Sequence, residues 1–316
     1  MTALKVENLS KTFPTARTLL GPAKPGVRAV RPLSFEVPTG ETLGVVGESG
    51  CGKSTFARML VGLLPPTTGH IEIEGKALDN ADPAAFGRMI QYVFQDPISS
   101  LNPRKTIRQI IEAPLKRLYG MDRAQRAARI REIFAAVNLR EEFLDRYPHE
   151  FSGGQAQRIG IARALAASPR IIILDEPVSA LDVSVQAQVL NLLADLKEEM
   201  GLTMMFISHD LGVVAQISDR VAVMYMGNLV EMADGPGLFA DPRHPYTQLL
   251  IASVPRLDAT KRIAGGIEKG EPPSRFAQLQ GCPFHDRCPA ATDLCRAERP
   301  LLRELDGGRK VACHHA

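Results

Sequence analysis

Apolar residues recur along this chain in two rhythms, and the rhythm changes with position. Near the start the pattern is that of strands. Leu4, Val6 and Leu9 mark a first strand, and Leu33, Phe35 and Val37 alternate with polar neighbours as on a half-buried strand. Pro38-Thr39-Gly40 is a turn, and Pro14 to Pro25 reads as a Pro- and Gly-containing insertion between strands. Thr42 to Val46 is a short buried strand ending at Gly47, and Phe56 to Leu64 reads as the start of a helix. Ile71 and Ile73 alternate with Glu72 and Glu74, which adds an antiparallel edge closed by Gly75; Met89 to Gln95 is another short strand. From Pro97 to Ala167 the period lengthens to that of a helix. Ile130, Ile133, Phe134 and Val137 share one face, and Arg123, Arg126, Arg129 and Arg131 read as its solvated side rather than a nucleic-acid patch. Ile171 to Leu174 is a continuous apolar run, as in a parallel strand buried on both faces. Val185 to Met200 is an amphipathic helix with Val185, Val189, Leu192, Leu193, Leu196 and Met200 on its stripe, stopped by Gly201. Thr203 to Ile207 is a further buried strand, and Val221 to Met226 pairs with Leu229 to Met232 in a hairpin around Gly227-Asn228. The fold class is α/β, with an antiparallel β subdomain and a helical insertion over about 97–167. From about Pro255 the periodicity fades and Pro, Gly, Arg and Cys dominate, so the remainder is expected to be a small separate module.

The strand, loop and helix around residue 47 carry the strongest chemical signal. Gly47-Glu48-Ser49-Gly50-Cys51-Gly52-Lys53-Ser54-Thr55 fits the P-loop pattern in the context that pattern requires. Glycines let successive N–H groups point at phosphates, and the helix N-terminus adds partial positive charge. Lys53 would reach the β- and γ-phosphates, and the Ser54 hydroxyl would ligate Mg²⁺. An ordinary glycine-rich turn would account for the letters but not for the flanking strand and helix. A second acid and a base are then needed. Asp175-Glu176, at the end of the apolar strand, is placed to supply the metal-side carboxylate and the residue that polarises the attacking water. Phe151-Ser152-Gly153-Gly154-Gln155 opens the helical run Ala156 to Ala167 and so presents a second anion-facing helix end. Ser179-Ala180-Leu181-Asp182 follows the acid pair, and Ser208-His209-Asp210 ends the next strand, where the imidazole could meet a γ-phosphate.

The bulk numbers narrow the setting. A chain of 316 residues that is 45% apolar can bury a sizeable core without disulfides, and a net charge of +3 does not demand nucleic acid. Met1 to Phe13 has no apolar signal segment, and no run reaches the roughly 18 apolar residues of a membrane span, so a cytoplasmic protein is expected. Four of the five cysteines, Cys282, Cys288, Cys295 and Cys313, crowd the last 35 residues. Disulfides conflict with a cytoplasmic setting, so the four point to a cysteine-ligated metal or cluster. The spacing is neither that of common zinc sites nor a ferredoxin run, and the identity stays open on spacing alone. His285, His314 and His315 are alternative ligands or plain surface residues. Cys51 has no chemistry of its own to assign.

In this order the motifs resemble the nucleotide-binding subunit of ABC transporters. Phe151 to Gln155 is similar to the LSGGQ signature with Phe for Leu; Gln95 matches the Q-loop, Ser179 to Asp182 the D-loop and His209 the H-loop, and Phe13 is the candidate adenine-stacking aromatic. The resemblance implies an ABC-type P-loop NTPase domain over about 1–255, with ATP and Mg²⁺ as ligands. Ser54, Gln95 and Asp175 would surround the magnesium, Glu176 would be the base, and His209 would face the γ-phosphate. It also implies that ATP lies between the phosphate loop of one subunit and residues 151–155 and Asp182 of another. Asp241-Pro242-Arg243-His244-Pro245-Tyr246-Thr247, the stretch Asp96 to Lys105 and Glu176 to Ser184 resemble the oligopeptide and dipeptide importers within that group. That implies a C-terminal extension over 256–316 with a [4Fe–4S] cluster on the four cysteines, zinc being the alternative. It implies a second, homologous ATPase and two membrane permeases as partners, an extracytoplasmic solute-binding protein acting indirectly, no nucleic acid, and a peripheral position on the cytoplasmic face of the inner membrane. Soluble ABC proteins of DNA repair or translation usually carry two such domains or long coiled coils, which this chain lacks. Assembly scaffolds of iron–sulfur biogenesis lack the cysteine tail. Import of nickel, opines or haem remains a parallel expectation to import of peptides.

Overall fold

The computed structural model describes residues 1–14, 26–78, 82–253 and 280–316. Beyond Pro14, the insertion expected up to Pro25 lies outside the described residues, as does the boundary expected near Pro255. Two sheets organise the chain. Strands β1 (Thr2–Phe13), β2 (Val27–Pro38), β4 (Thr68–Ile73) and β5 (Lys76–Ala77) form an antiparallel sheet in the order β2-β1-β4-β5. The larger sheet centres on four parallel strands, β6 (Ile90–Val93), β7 (Ile171–Asp175), β8 (Thr203–Ser208) and β3 (Thr42–Val46), with β9 (Arg220–Tyr225) also parallel to β3. Strands β10 (Asn228–Asp234), β12 (Lys310–Val311) and β11 (Arg303–Glu304) then extend it antiparallel.

Continuous apolar runs in the parallel strands follow from burial on both faces. Ile171 and Ile173 of β7 point into the layer shared with the antiparallel sheet and helix α1 (Lys53–Leu60). Ile172 and Leu174 point the other way, into the layer shared with the helices. Those helices are chiefly α3 (Ile107–Tyr119), α4 (Arg123–Ala136), α5 (Gly153–Leu165) and α6 (Val183–Met200), and α2 (Pro83–Met89) leads into β6. Thr106 and Asp122 each form a capping box at the start of α3 and α4, which sets both boundaries. Helix α6 begins two residues before the expected Val185. Its buried stripe is Val189, Leu192, Leu193 and Leu196, joined by Leu190, while Met200 is 37% exposed.

The β9–β10 hairpin turns one residue earlier than expected. Tyr225 pairs with Asn228, and Met226 (φ 45°) and Gly227 (φ 76°) make a two-residue loop with both residues left-handed. Helix α7 (Leu211–Ile217) precedes β9, and α8 (Gly235–Ala240) and α9 (Pro245–Ala252) follow β10. Residues 280–316, which include α10 (Asp293–Ala297), share the main core through Cys282, Phe284 and Cys295. Strand β12 pairs with β10, and the Ala312 N–H donates to the Val230 carbonyl at 2.8 Å. Arg309 reaches the fully buried carboxylate of Glu231 at 3.2 Å, where the Arg243 and His244 N–H groups also donate at 2.9 Å. A buried carboxylate without such partners would cost several kcal/mol.

Candidate active site

Strand β3 ends at Val46, and the next six residues fold back to open α1. Two glycines make that path available. A Cβ at Gly47 (φ 153°) would lie 2.2 Å from the Met224 carbonyl oxygen, and one at Gly52 (φ 110°) 2.3 Å from that of Ala29. The end of β9 and the start of β2 therefore press directly on the loop. The Gly227 N–H adds a bond to the Cys51 carbonyl at 2.8 Å. Lys53 is 5% exposed, and its ammonium donates to the carbonyls of Gly47 at 2.6 Å and Glu48 at 3.2 Å. Gly52 supplies no side-chain cap to α1, so the first N–H groups of that helix are left to face an anion. Ser49 and Gly50 form the exposed lip of the loop, and Thr55 follows Ser54 in the first turn of α1. Cys51 is buried, and burial raises its thiol pKa; it acts as loop packing.

Asp175, 3% exposed, closes the far side. Its Oδ1 accepts from the Ser54 hydroxyl at 3.2 Å and its Oδ2 from the Tyr92 hydroxyl at 2.5 Å. Burial, then the neighbouring carboxylate, push the Tyr92 phenol far above its ordinary range, so Tyr92 stays a donor. Glu176 has φ 48°, a left-handed conformation that costs an L-residue about 1 kcal/mol. The turn swings its side chain off the strand line, while its N–H still bonds the Ile207 carbonyl at 2.9 Å. One oxygen, Oε2, then accepts from Gln95 Nε2 at 3.0 Å and meets His209 Nδ1 at 3.2 Å. Phosphate loop, acid pair, Gln95 and His209 are thus brought together at the ends of β3, β6, β7 and β8. Phe13 is 37% exposed and pairs with Val27, two residues before the Ala29 that faces Gly52.

The second glycine loop stands apart. Phe151 is 7% exposed and packs edge-on to Phe143, ring centroids 5.5 Å apart, which explains why an aromatic serves where the motif has Leu. Ser152 caps α5 in a box with Gln155, and Ser152 and Gly153 are exposed. Among the described residues no hydrogen bond or ion pair joins 151–155 to the phosphate loop or to Glu176. Gly153 and Gly154 instead face Leu181 and Val185. Asp182 opens α6 without a side-chain cap bond and is exposed.

The four tail cysteines come near one another. The Cys282 N–H bonds the Cys295 carbonyl at 2.8 Å, and burial, reinforced by Cys295, Cys288 and Cys313, pushes the Cys282 thiol up to about 11. Cys295 Sγ lies 3.4 Å from His315 Nε2, while His285 and His314 bond the Cys282 and Glu298 carbonyls. Among the described residues, however, no three His, Cys, Asp or Glu side chains form a group ready to hold a metal ion. Sequence reasoning missed three participants: Tyr92 on Asp175, Tyr246, whose hydroxyl accepts the Glu48 N–H at 2.9 Å, and Arg287, which pairs with Glu48. Tyr92 lies inside the strand expected over Met89 to Gln95 and Tyr246 inside the stretch Asp241 to Thr247, but nothing local to either pointed to its partner.

Comparison with known proteins agrees with this geometry. A family model described as ABC transporter matches residues 30–179, and one described as oligopeptide/dipeptide transporter, C-terminal region, matches 230–295. The chain is 52% identical to the probable peptide ABC transporter ATP-binding protein y4tS of Sinorhizobium fredii, over 98% of this chain and 89% of that one. It is 47% identical to the oligopeptide transport ATP-binding protein AppF of Bacillus subtilis, over 99% and 97% of the two chains. It is 45% identical to the dipeptide transport ATP-binding protein DppF of Haemophilus influenzae, over 99% and 96%. The ATP-binding cassette MJ0796, solved as a dimer in a post-hydrolysis state with ADP and Pi, superposes with a TM-score of 0.65 at 30% identity, over 73% of this chain and 98% of that one. With near-full-length relatives at this identity, the chain belongs to the ATP-binding proteins of the oligopeptide/dipeptide ABC transporter family.

Proposed function

We propose that this chain is the ATP-hydrolysing subunit of an importer for dipeptides and oligopeptides, working on the cytoplasmic face of the membrane. The observation that carries the reading is the Glu176 carboxylate, held by Gln95 and His209 beside the Ser54–Asp175 pair. In this reading the phosphate loop and Lys53 hold the triphosphate and Phe13 stacks on the adenine. Ser54 and Asp175 offer hard oxygen donors on one side of the loop, a set that fits Mg²⁺, with Gln95 near. When bound, the ion neutralises charge on the β- and γ-phosphates. Glu176 orients and deprotonates the attacking water, and His209 holds Glu176 and faces the γ-phosphate. Residues 151–155 and Asp182 complete the pocket of a second, homologous subunit, so the nucleotide draws two helix N-termini together and its hydrolysis releases them. Two permease subunits would convert that closure into transport, with an extracytoplasmic binding protein delivering substrate. Residues 96–105 and the adjoining cavity of about 500 Å³, lined by Leu63, Phe86, Phe94 and Arg163, are the proposed permease contact. Among the described residues no helix is long and apolar enough to cross a membrane, so attachment through permeases is the reading that fits.

Replacing Glu176 with Gln keeps the shape and removes the base. ATP should stay bound while turnover falls by about 10²–10⁴. An unchanged steady-state phosphate release by Glu176→Gln refutes the role.

For the tail we propose a [4Fe–4S] cluster on Cys282, Cys288, Cys295 and Cys313. What supports the reading is the concentration of four cysteines in one short segment, three of them buried and Cys288 half-buried. The cluster's place would be structural, since transport needs no electron transfer. Anaerobically purified protein should contain iron and acid-labile sulfide; stoichiometric zinc without sulfide sinks this assignment.

A further inference from the structure

Glu48 is an unexpected residue for a loop that holds phosphates, because its carboxylate sets a negative charge beside an anion site. The structure shows what offsets it. Arg287, 239 residues further on and next to Cys288, grips Glu48 with both arms: Nη2 to Oε1 at 2.9 Å and Nη1 to Oε2 at 3.1 Å. The pair is well enclosed, with 8% of the Arg287 side chain and 30% of the Glu48 side chain exposed. The guanidinium lies 5.8 Å from the Tyr225 ring centroid and 5.5 Å from that of Phe284, and it reaches the Tyr225 hydroxyl at 3.4 Å. Planar stacking and a two-pronged carboxylate bond are what arginine offers and lysine does not. Glu48 is tied into the rest of the loop as well. Its N–H donates to the Tyr246 hydroxyl at 2.9 Å, and its carbonyl accepts from Lys53 Nζ at 3.2 Å. A change at Arg287 therefore reaches the phosphate-binding lysine through one residue.

We propose that Arg287 is a positioning residue for nucleotide binding: from the C-terminal segment it neutralises Glu48 and braces the phosphate loop. It touches no reacting atom. The inference rests on residues 47–55 being the phosphate loop, and goes beyond it by giving the C-terminal segment a share in the affinity for ATP.

The test is a double-mutant cycle on the full-length chain, read by Mg-ATP titration and by ATPase activity in the assembled transporter. In the wild-type background Arg287→Ala should weaken Mg-ATP binding about tenfold, which is about 1.4 kcal/mol. The KM for ATP should rise likewise, with kcat within about twofold, because Glu176, Gln95 and His209 are untouched. In a Glu48→Gln background the same change should cost less than about twofold, since no charge is left to offset. Arg287→Lys should restore part of the affinity. Equal losses in both backgrounds would show that Arg287 acts only by packing and would overturn the proposal, as would no loss in either. Lys53→Ala separates the layers. If it too keeps its nucleotide, the phosphate-loop assignment itself fails and takes the proposal with it. If it loses nucleotide while Arg287→Ala binds normally, only the proposal falls.

Discussion

Two glycine-bearing loops open helices in this chain, and they are built on opposite plans. The loop Gly47–Gly52 is enclosed by its own chain: the Met224 and Ala29 carbonyls leave no room for a Cβ, and Gly227, Tyr246 and Arg287 all bond it. Its lysine already bonds the Gly47 carbonyl, and its serine the Asp175 carboxylate. The loop Phe151–Gly154 is anchored on one side only, by the Phe151 ring in the helical core. Neither Gly153 nor Gly154 has a left-handed φ, and what faces them is the side chains of Leu181 and Val185. At Gly154 a Cβ would lie 2.4 Å from Val185 Cγ1, whereas at exposed Gly153 the nearest atom, Leu181 Cδ2, is 3.1 Å away, so little in this chain demands a glycine there. A glycine at 153 makes sense if something else must approach closely from outside. On the proposed function, the first loop is a finished site and the second is half of one.

The largest expected effects separate the two plans. Lys53→Ala should cost the lone chain its Mg-ATP, a loss of about 100-fold or more in affinity, because a buried charge-assisted contact to phosphate is removed. Gly153→Asp should leave that affinity within about twofold. In the assembled transporter it should nevertheless lower ATPase activity by about 10²–10³, since a carboxylate would occupy the positive end of α5 where a phosphate must sit. Calorimetric titration of the lone chain and phosphate release from the complex read the two separately. If Gly153→Asp weakened binding by the lone chain as much as Lys53→Ala does, the second loop would not be a half-site.

How much of this was legible beforehand follows the same divide. The finished loop could be read because strand, glycines, lysine and helix are contiguous, and the acid pair closes its own apolar strand. Period two and continuous apolar runs placed the longer strands of both sheets, while the capping boxes at Thr106 and Asp122 set helix starts later than the Pro97 expected. What was hidden is what depends on distant chain segments. Tyr246 and Arg287 lie 198 and 239 residues from Glu48 and carry no local pattern that points to it. The tail looked separate because it has no periodicity of its own; it borrows order from β10 and from the rings of Tyr225 and Tyr246. The turn at Met226 was missed because methionine is not a residue that advertises a left-handed φ.

A smaller effect sharpens the contrast through acid. His244 is 2% exposed, its Nδ1 accepts the Tyr246 N–H at 3.0 Å, and burial lowers its pKa to about 4. In the unfolded chain the imidazole would titrate near its ordinary value, so between those limits the unfolded state binds more protons. Stability from this site is therefore complete above the ordinary histidine range, falls as pH drops through it, and levels off below about 4. The loss should reach about 2 kcal/mol by about pH 5. Tyr246 supports Glu48, so acid should loosen the first loop and spare the second. Urea unfolding at several pH values, compared with His244→Asn, isolates the term; parallel curves for the two proteins would rule it out.

The smallest effect concerns a single hydroxyl with two duties. Ser152 Oγ accepts the Gln155 N–H at 3.4 Å as the cap of α5, and among the described residues no bond takes its own proton. An acceptor lone pair used inward and a donor used outward do not compete. Ser152→Ala should remove both, at about 1 kcal/mol of folding stability for the cap and roughly tenfold in ATPase activity of the complex for the lost charge-assisted bond. Ser152→Thr retains the hydroxyl and should stay near wild type in both. Nucleotide binding by the lone chain should not respond to either change. An alanine variant that loses stability but keeps full turnover would reduce Ser152 to a helix cap and remove it from the half-site.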